Sequence, residues 1–248
     1  MTTKQFTLTL IAVCTVTLAA ASIADSAVAG ERHRAWTVQG PKGGSAVVDR
    51  SVSRNGMGGK TVTEQWHGAN GQSGSRVTNR QINRDAGTIT RDTTRTGPNG
   101  TSTSNRTLTK TGDGNATVTG SGTTRNGNSY DMNRSITKNA DGSRSSTATY
   151  TGENGKSVSA QGISQRGDDG SFSRSGTYTT GSGQSGSYSA SGLRTDDGST
   201  RTQSWTTPSG EAKDRSVTTS HIDGGGVSKT VTGSNGESRT WTATPVSE

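Results

Sequence analysis

The sequence has 248 residues, a formal net charge of +8 at pH 7 and a hydrophobic share of only 24%. From Gly30 onward, 20 residues are Val, Ile, Leu or Phe, far below the usual share of a globular domain. This composition excludes a large apolar core and keeps a disordered, hydrophilic chain open as an alternative. The single cysteine, Cys14, leaves no pair for a disulfide.

Residues 1–29 are typical of a secretory signal peptide. Lys4 precedes an apolar, Ala-rich run, and Ala27 and Ala29 provide the small residues of a cleavage site. The run falls short of the roughly 20 apolar residues that a membrane span requires. We therefore expect a signal helix and an exported protein, extracellular, at the cell surface or periplasmic, with no membrane span in the mature chain.

Residues 30–110 form a basic, Arg-rich section with 13 Lys and Arg against 5 Asp and Glu. Arg76 and Arg80 are four residues apart, as are Arg91 and Arg95, so each pair shares one face of a strand. Arginine binds phosphate and carboxylate groups through two parallel hydrogen bonds. We predict a polyanion site comprising Arg76, Arg80, Arg84, Arg91 and Arg95. Acidic polysaccharide, lipopolysaccharide or extracellular DNA would be the ligand, and a solvated basic surface is the alternative.

Residues 111–248 form a neutral section rich in Ser, Thr and Gly, with 13 Lys and Arg against 13 Asp and Glu. Turn signals, many of them Asn-Gly or Asp-Gly, recur about every 14 residues from Gly71 to the end of the chain. Such dipeptides favour the tight turns of β-hairpins. The predicted turn glycines are Gly71, Gly87, Gly100, Gly114, Gly127, Gly142, Gly155, Gly170, Gly183, Gly198, Gly210, Gly225 and Gly236.

The segments between these turns alternate with a period of two. Tyr130, Met132 and Ile136 share one parity, and Thr-apolar-Thr triplets recur along the chain. This pattern predicts strands rather than helices. The predicted fold is all-β, a repetitive antiparallel hairpin array that forms either a meander or a β-solenoid; whether it is open or closed is not decided. Similar strands specify their register weakly, so we also expect self-association through strand edges.

One stretch, "YDMNRSITKNADGSRSSTATY" at residues 130–150, resembles a YD repeat of the RHS family of extracellular bacterial proteins. The resemblance rests on Tyr130-Asp131, on the Asp141-Gly142 turn and on Tyr150, which closes the unit. The chain is also similar in style to the Ser/Thr/Gly/Asn-rich repeats of biofilm proteins and adhesins. These resemblances imply a secreted bacterial array of β-hairpins.

The sequence predicts no enzyme, cofactor or metal site. His33, His67 and His221 are scattered and have no partner at ligand spacing. Trp36 and Trp66 could stack on bases or sugars, but anchoring the first strands is the better interpretation.

The functional expectation is therefore a secreted structural protein of the cell surface or biofilm matrix. It would associate with itself through strands and dock to polyanions through the basic section. The alternatives are a monomeric polyanion- or carbohydrate-binding module and a disordered exported protein. An ice-binding protein is a further alternative, which the irregular spacing of the turns disfavours.

Overall fold

The computed structural model of the protein describes residues 30–41 and 44–246. The predicted signal segment, residues 1–29, lies outside the described residues. The described chain forms sixteen β-strands and, among other turns, a 3-10 turn at Asp223–Gly225. The strands are β1 (Gly30–Gln39), β2 (Ser45–Arg54), β3 (Lys60–Gly68), β4 (Ser73–Asn83), β5 (Thr88–Gly97), β6 (Gly100–Gly112), β7 (Asn115–Thr123), β8 (Ser129–Lys138), β9 (Arg144–Gly152), β10 (Ser157–Arg166), β11 (Phe172–Thr180), β12 (Ser185–Thr195), β13 (Gly198–Thr206), β14 (Ala212–Ile222), β15 (Gly226–Gly233) and β16 (Ser238–Pro245).

Each strand pairs antiparallel with the next one in the chain, and β1 also pairs with β16, so the sheet closes into a barrel. This confirms the all-β, antiparallel meander, and the strand order is that of a meander rather than a solenoid. The described residues contain no helix with the length and apolar character of a membrane span.

The closure between β1 and β16 is the shortest strand pairing of the barrel. The two strands are in register only from Trp36, opposite Pro245, to Gln39, opposite Thr242. In contrast, β1 pairs with β2 along its whole length. We call this short β1–β16 pairing the seam.

The turns follow the predicted glycines. All thirteen have positive φ, the backbone conformation that glycine adopts without steric cost. At a typical turn, the Gly127 amide donates to the Thr124 carbonyl (3.0 Å) and the Thr124 amide to the Asn128 carbonyl (2.8 Å). This is a type I turn followed by a glycine bulge, a common three-residue hairpin loop.

The two faces of the barrel differ in composition. We call the residues in register with Trp36 the inner wall and those in register with Thr37 the outer face. Every buried side chain on a strand belongs to the inner wall, namely Trp36, Thr78, Met132 and Ala243. The outer face consists mainly of Thr and Ser, whose hydroxyls pair across strands, as in Thr103–Thr123 (2.9 Å) and Thr230–Thr240 (2.9 Å).

The barrel has little core because sixteen strands enclose a space too wide for side chains to fill. The wall is instead covered by aromatic rings that lie flat across glycines of neighbouring strands. The Tyr178 ring crosses Gly186 and donates its hydroxyl to the Thr206 carbonyl (3.1 Å). The Tyr188 ring crosses Gly176 in the opposite direction. Trp36 is 8% exposed, which confirms it as an anchor of the first strands.

Candidate polyanion-binding wall

Charge is separated between the two faces of the barrel. Every Lys and Arg on the sixteen strands lies on the inner wall, as does every Trp, Tyr and Phe of those strands. Glu64 is the only carboxylate of the described inner wall. The other strand carboxylates lie on the outer face, and they are Glu31, Asp49, Asp92, Asp131 and Asp214.

The structure brings four of the five predicted site residues together. Arg76 on β4 stands opposite Arg95 on β5, and Arg80 stands opposite Arg91 on the same two strands. Directly opposed residues of antiparallel strands have Cβ atoms about 5 Å apart, and like charges in such pairs are destabilising. Two guanidinium pairs on adjacent strands therefore form the centre of the candidate site.

The fifth predicted residue, Arg84, is placed elsewhere. It lies in the turn between β4 and β5, where its carbonyl accepts a hydrogen bond from the Gly87 amide (3.2 Å) and its side chain is exposed. Its position in a turn removes it from the alternation of the strand, so it does not belong to the cluster.

Cations that the sequence did not assign to the site extend the Arg80–Arg91 pair on both sides. Lys60 on β3 is in register with Arg80, and Arg106 on β6 is in register with Arg91. Arg54 on β2 is in register with Lys60 in turn. The signal for them is in the sequence, because residues equally distant from a turn face each other in a hairpin; Arg91 and Arg106 flank the Pro98-Asn99 turn in this way.

Glu64 partly neutralises the other arginine pair. It is in register with Arg50 and with Arg76, and its carboxylate lies 3.4 Å from Arg50 Nε and 3.5 Å from Arg76 Nη1. The three side chains are about one quarter exposed or less. The Nε atoms of Arg50 and Arg76 are buried and form no hydrogen bond within the described part of the chain.

The crowding of like charges is visible in the pKa values of two arginines. Burial, followed by the charges of Arg76, Arg106 and Arg80, lowers the pKa of Arg91 below its usual value. Burial and the charge of Arg76 likewise lower the pKa of Arg95, and Glu64 opposes this shift. A lowered arginine pKa means that the protonated form is less favourable here than in water.

Two arginines in the second half of the barrel have aromatic partners instead. The Arg174 guanidinium lies 5.0 Å from the centre of the Tyr188 ring, and that of Arg201 lies 5.7 Å from the centre of the Phe172 ring. Both distances are within the range of cation–π attraction.

A comparison of the chain with protein-family models, curated proteins and solved structures finds no match. The stretch that resembles a YD repeat, residues 130–150, forms most of the β8–β9 hairpin. No group of three or more His, Cys, Asp and Glu is placed to bind a metal ion among residues 30–41 and 44–246.

Proposed function

We propose that this protein is an exported, non-enzymatic protein of the cell surface or biofilm matrix that binds a polyanion on the inner wall of its barrel. The signal-like residues 1–29 support export, and the YD-like hairpin supports an extracellular setting. One observation carries the proposal, namely that guanidinium groups of adjacent strands stand directly opposite one another on the wall.

Without a ligand, the opposed guanidinium groups raise the free energy of the folded protein. Cations directly opposite one another repel, and the partial burial of Arg76 and Arg95 reduces the screening of this repulsion by water. The lowered pKa values of Arg91 and Arg95 have both causes. An anion between the guanidinium groups would replace repulsion by charge-assisted hydrogen bonds. Binding of a polyanion therefore offsets a cost that the folded protein otherwise carries.

Binding of the purified protein to heparin, as a model acidic polysaccharide, tests the proposal. We expect the affinity to fall steeply with salt, because each neutralised cation releases a counterion from the ligand. The double variant Arg80→Gln, Arg91→Gln should weaken binding and flatten the salt dependence. Arg84→Gln is the matched control, since it removes a charge of the same kind from the turn, outside the cluster.

Two results would contradict the proposal. The first is a wild-type protein that binds no heparin, nucleic acid or lipopolysaccharide at low salt. The second is an Arg84→Gln variant that weakens binding as much per lost charge as the double variant does, because the charge of the protein as a whole would then explain the attraction. Circular dichroism should give the same β spectrum for all three proteins.

Self-association through strands is a second candidate function, and the short seam favours it. A closed barrel has no continuous free edge, so strand pairing between copies along the whole of β1 requires the seam to open. Only Trp36–Gln39 of β1 would have to separate from β16. The opened strands could then pair with those of a second copy and build a matrix.

A disulfide across the seam tests this second candidate. Val38 and Ala243 are in register, so the double variant Val38→Cys, Ala243→Cys can lock the seam when oxidised. We expect the oxidised variant to remain monomeric at concentrations where the reduced form assembles, as measured by analytical ultracentrifugation. Val52→Cys with Val62→Cys, in register on β2 and β3, is the control; assembly of the oxidised seam variant would refute the mechanism.

A further inference from the structure

We infer that the ligand is a linear acidic polysaccharide that runs across the strands along a single row of the inner wall, which we call the cation row. This inference rests on the proposed polyanion-binding function and specifies its site and ligand class. Successive members of the row are in register across β2 to β6. The cation row comprises Arg54, Lys60, Arg80, Arg91 and Arg106.

The cation row differs from the next charged row of the same wall. That second row, the Glu64 row, comprises Arg34, Arg50, Glu64, Arg76 and Arg95, also in register. Glu64 stands between Arg50 and Arg76 and binds both, whereas no register position of the cation row holds a carboxylate. An anionic ligand therefore has to compete with Glu64 for the arginines of the Glu64 row.

The residues beside the cation row on the inner wall are uncharged. On one side lies the aliphatic line Ile82, Ile89 and Leu108, whose members are in register. On the other side lie Val62, Thr78 and Thr93, also in register. These neighbours bring no charge that would offset the attraction of the row for anions. Partial burial is the largest cause of the lowered pKa of Arg91, and Arg80, Arg91 and Arg106 remain exposed to a ligand.

The geometry of the row determines the shape of the ligand. Neighbouring strands are about 4.8 Å apart, so five cations in register extend over about 19 Å. A ligand that uses all of them carries closely spaced anionic groups along one line and runs perpendicular to the strands. Because the row lies inside the barrel, the ligand is a thin, flexible chain that can enter the interior.

The absence of rings beside the row separates polysaccharide from nucleic acid. Proteins that bind single-stranded nucleic acid combine cations with aromatic side chains on which the bases stack. The positions on either side of Arg80, Arg91 and Arg106 hold only Ile, Leu, Thr and Ser. The rings of Tyr188 and Phe172 lie on β12 and β11 and are covered by arginines. Acidic sugars need no stacking surface for their charged groups, and the row suits them.

Two single variants with equal loss of charge test the position of the site. In the full chain, Arg91→Gln removes the centre of the cation row, and Arg76→Gln removes one member of the Glu64 row. We expect Arg91→Gln to weaken heparin binding about tenfold, as for the loss of a hydrogen bond to a charged group, and to reduce the salt slope by about one. Arg76→Gln should weaken it by less than about threefold, because Arg76 is already paired with Glu64.

Two series of ligands test the predicted shape and chemical class of the ligand. Heparin oligosaccharides of increasing length should gain affinity until they span about 19 Å, and then level off. An oligothymidylate of the same number of charges should bind at least about fivefold more weakly at equal salt, because it finds no stacking surface beside the row.

The outcomes separate this inference from the function on which it rests. Equal effects of Arg91→Gln and Arg76→Gln, in a protein that binds heparin, would overturn the cation row but keep polyanion binding. Tighter binding of oligothymidylate than of heparin would overturn the ligand class. Failure of the wild-type protein to bind any polyanion would overturn the proposed function itself.

Discussion

The inner wall presents arginine in two different settings. Across β4, β5 and β6, Arg80, Arg91 and Arg106 stand directly opposite one another. Across β11, β12 and β13, Arg174 and Arg201 each lie over an aromatic ring. We refer to these regions as the arginine region and the ring region.

On this wall, the residues next to an arginine determine which interactions its guanidinium group forms. In the ring region, glycine at the opposed positions leaves space for a ring, and the ring attracts the guanidinium. The guanidinium charge there interacts with an aromatic ring of the protein itself. In the arginine region the opposed positions hold further cations instead of rings. The ring region therefore stabilises the fold, and the arginine region is where the proposed ligand would bind.

The largest expected difference between the regions is their response to a bound polyanion. Ligand at 100 times its dissociation constant stabilises the folded protein by about 2.7 kcal/mol. We expect amide protection measured by hydrogen exchange to increase mainly in β3 to β6, and the melting temperature to rise. Equal gains in β10 to β13 would show that the ligand does not distinguish the regions, and Arg80→Gln with Arg91→Gln should abolish the effect.

A methyl group at Gly176 should weaken the ring region nearly as strongly. A Cβ there would meet the Gln161 carbonyl and the Tyr188 hydroxyl, so Gly176→Ala should lower the free energy of unfolding by about 1–3 kcal/mol. Gly152→Ala is the matched control, because the nearest atom to its Cβ would be the Lys156 carbonyl oxygen at 3.6 Å. Denaturant unfolding of both variants measures the difference. A Gly176→Ala protein as stable as the control would show that the ring does not need the glycine.

Glu64→Gln should create a second ligand-binding row beside the arginine region, because it removes the carboxylate of the Glu64 row. Without the carboxylate, the Glu64 row would also lack a neutralising anion, and the wall would offer a second row of cations. We expect heparin affinity to increase by roughly threefold to tenfold, as one charge-assisted interaction allows, and the free energy of unfolding without ligand to decrease. Unchanged affinity would mean that anions do not reach this row.

The smallest effect concerns a turn and lies outside both regions. Hydrogen bonds from the Ser143 hydroxyl (2.7 Å) and amide (2.9 Å) to Asp141 Oδ1 lower the pKa of Asp141 below its ordinary value of 3.8. A depressed carboxyl pKa stabilises the turn above the ordinary pKa, and this contribution is lost as the pH falls through the folded-state pKa. The Ser143 amide resonance should shift in that range, and Asp141→Asn should remove the shift. Binding of heparin should not depend on this substitution.

The local structure was predictable from the sequence because its causes are local. The turn glycines have positive φ where the Asn-Gly and Asp-Gly dipeptides indicated it. Arg76 and Arg80 share a face, as do Arg91 and Arg95, because a spacing of four keeps parity on a strand. Arg84 was assigned to the site by its charge alone, although the turn ending at Gly87 already placed it outside the strand.

Long-range features were harder to predict from the sequence. Closure depends on the register of every hairpin added around the barrel, so no single segment encodes the contact of Trp36 with Pro245. The role of the glycines beneath the rings could not be predicted from the sequence for a different reason. Gly176 lies in the middle of β11 and Gly186 near the start of β12, both in paired segments, where glycine weakens a strand unless another group uses the space. Only the neighbouring strand shows that a tyrosine does so.

The seam has a consequence for how the chain folds. Fourteen other strands separate β1 from β16 in the chain, so the loop that the seam closes is nearly the whole protein, and its entropic cost is the largest of any pairing. Hairpins between neighbouring strands form within about 1–10 μs, and long-range pairing is slow. Folding therefore adds hairpins in sequence and closes the ring last. Until β16 has been synthesised, one edge of β1 is open to any other strand. β1 is synthesised first and therefore pairs with its second partner, β16, only in the last step.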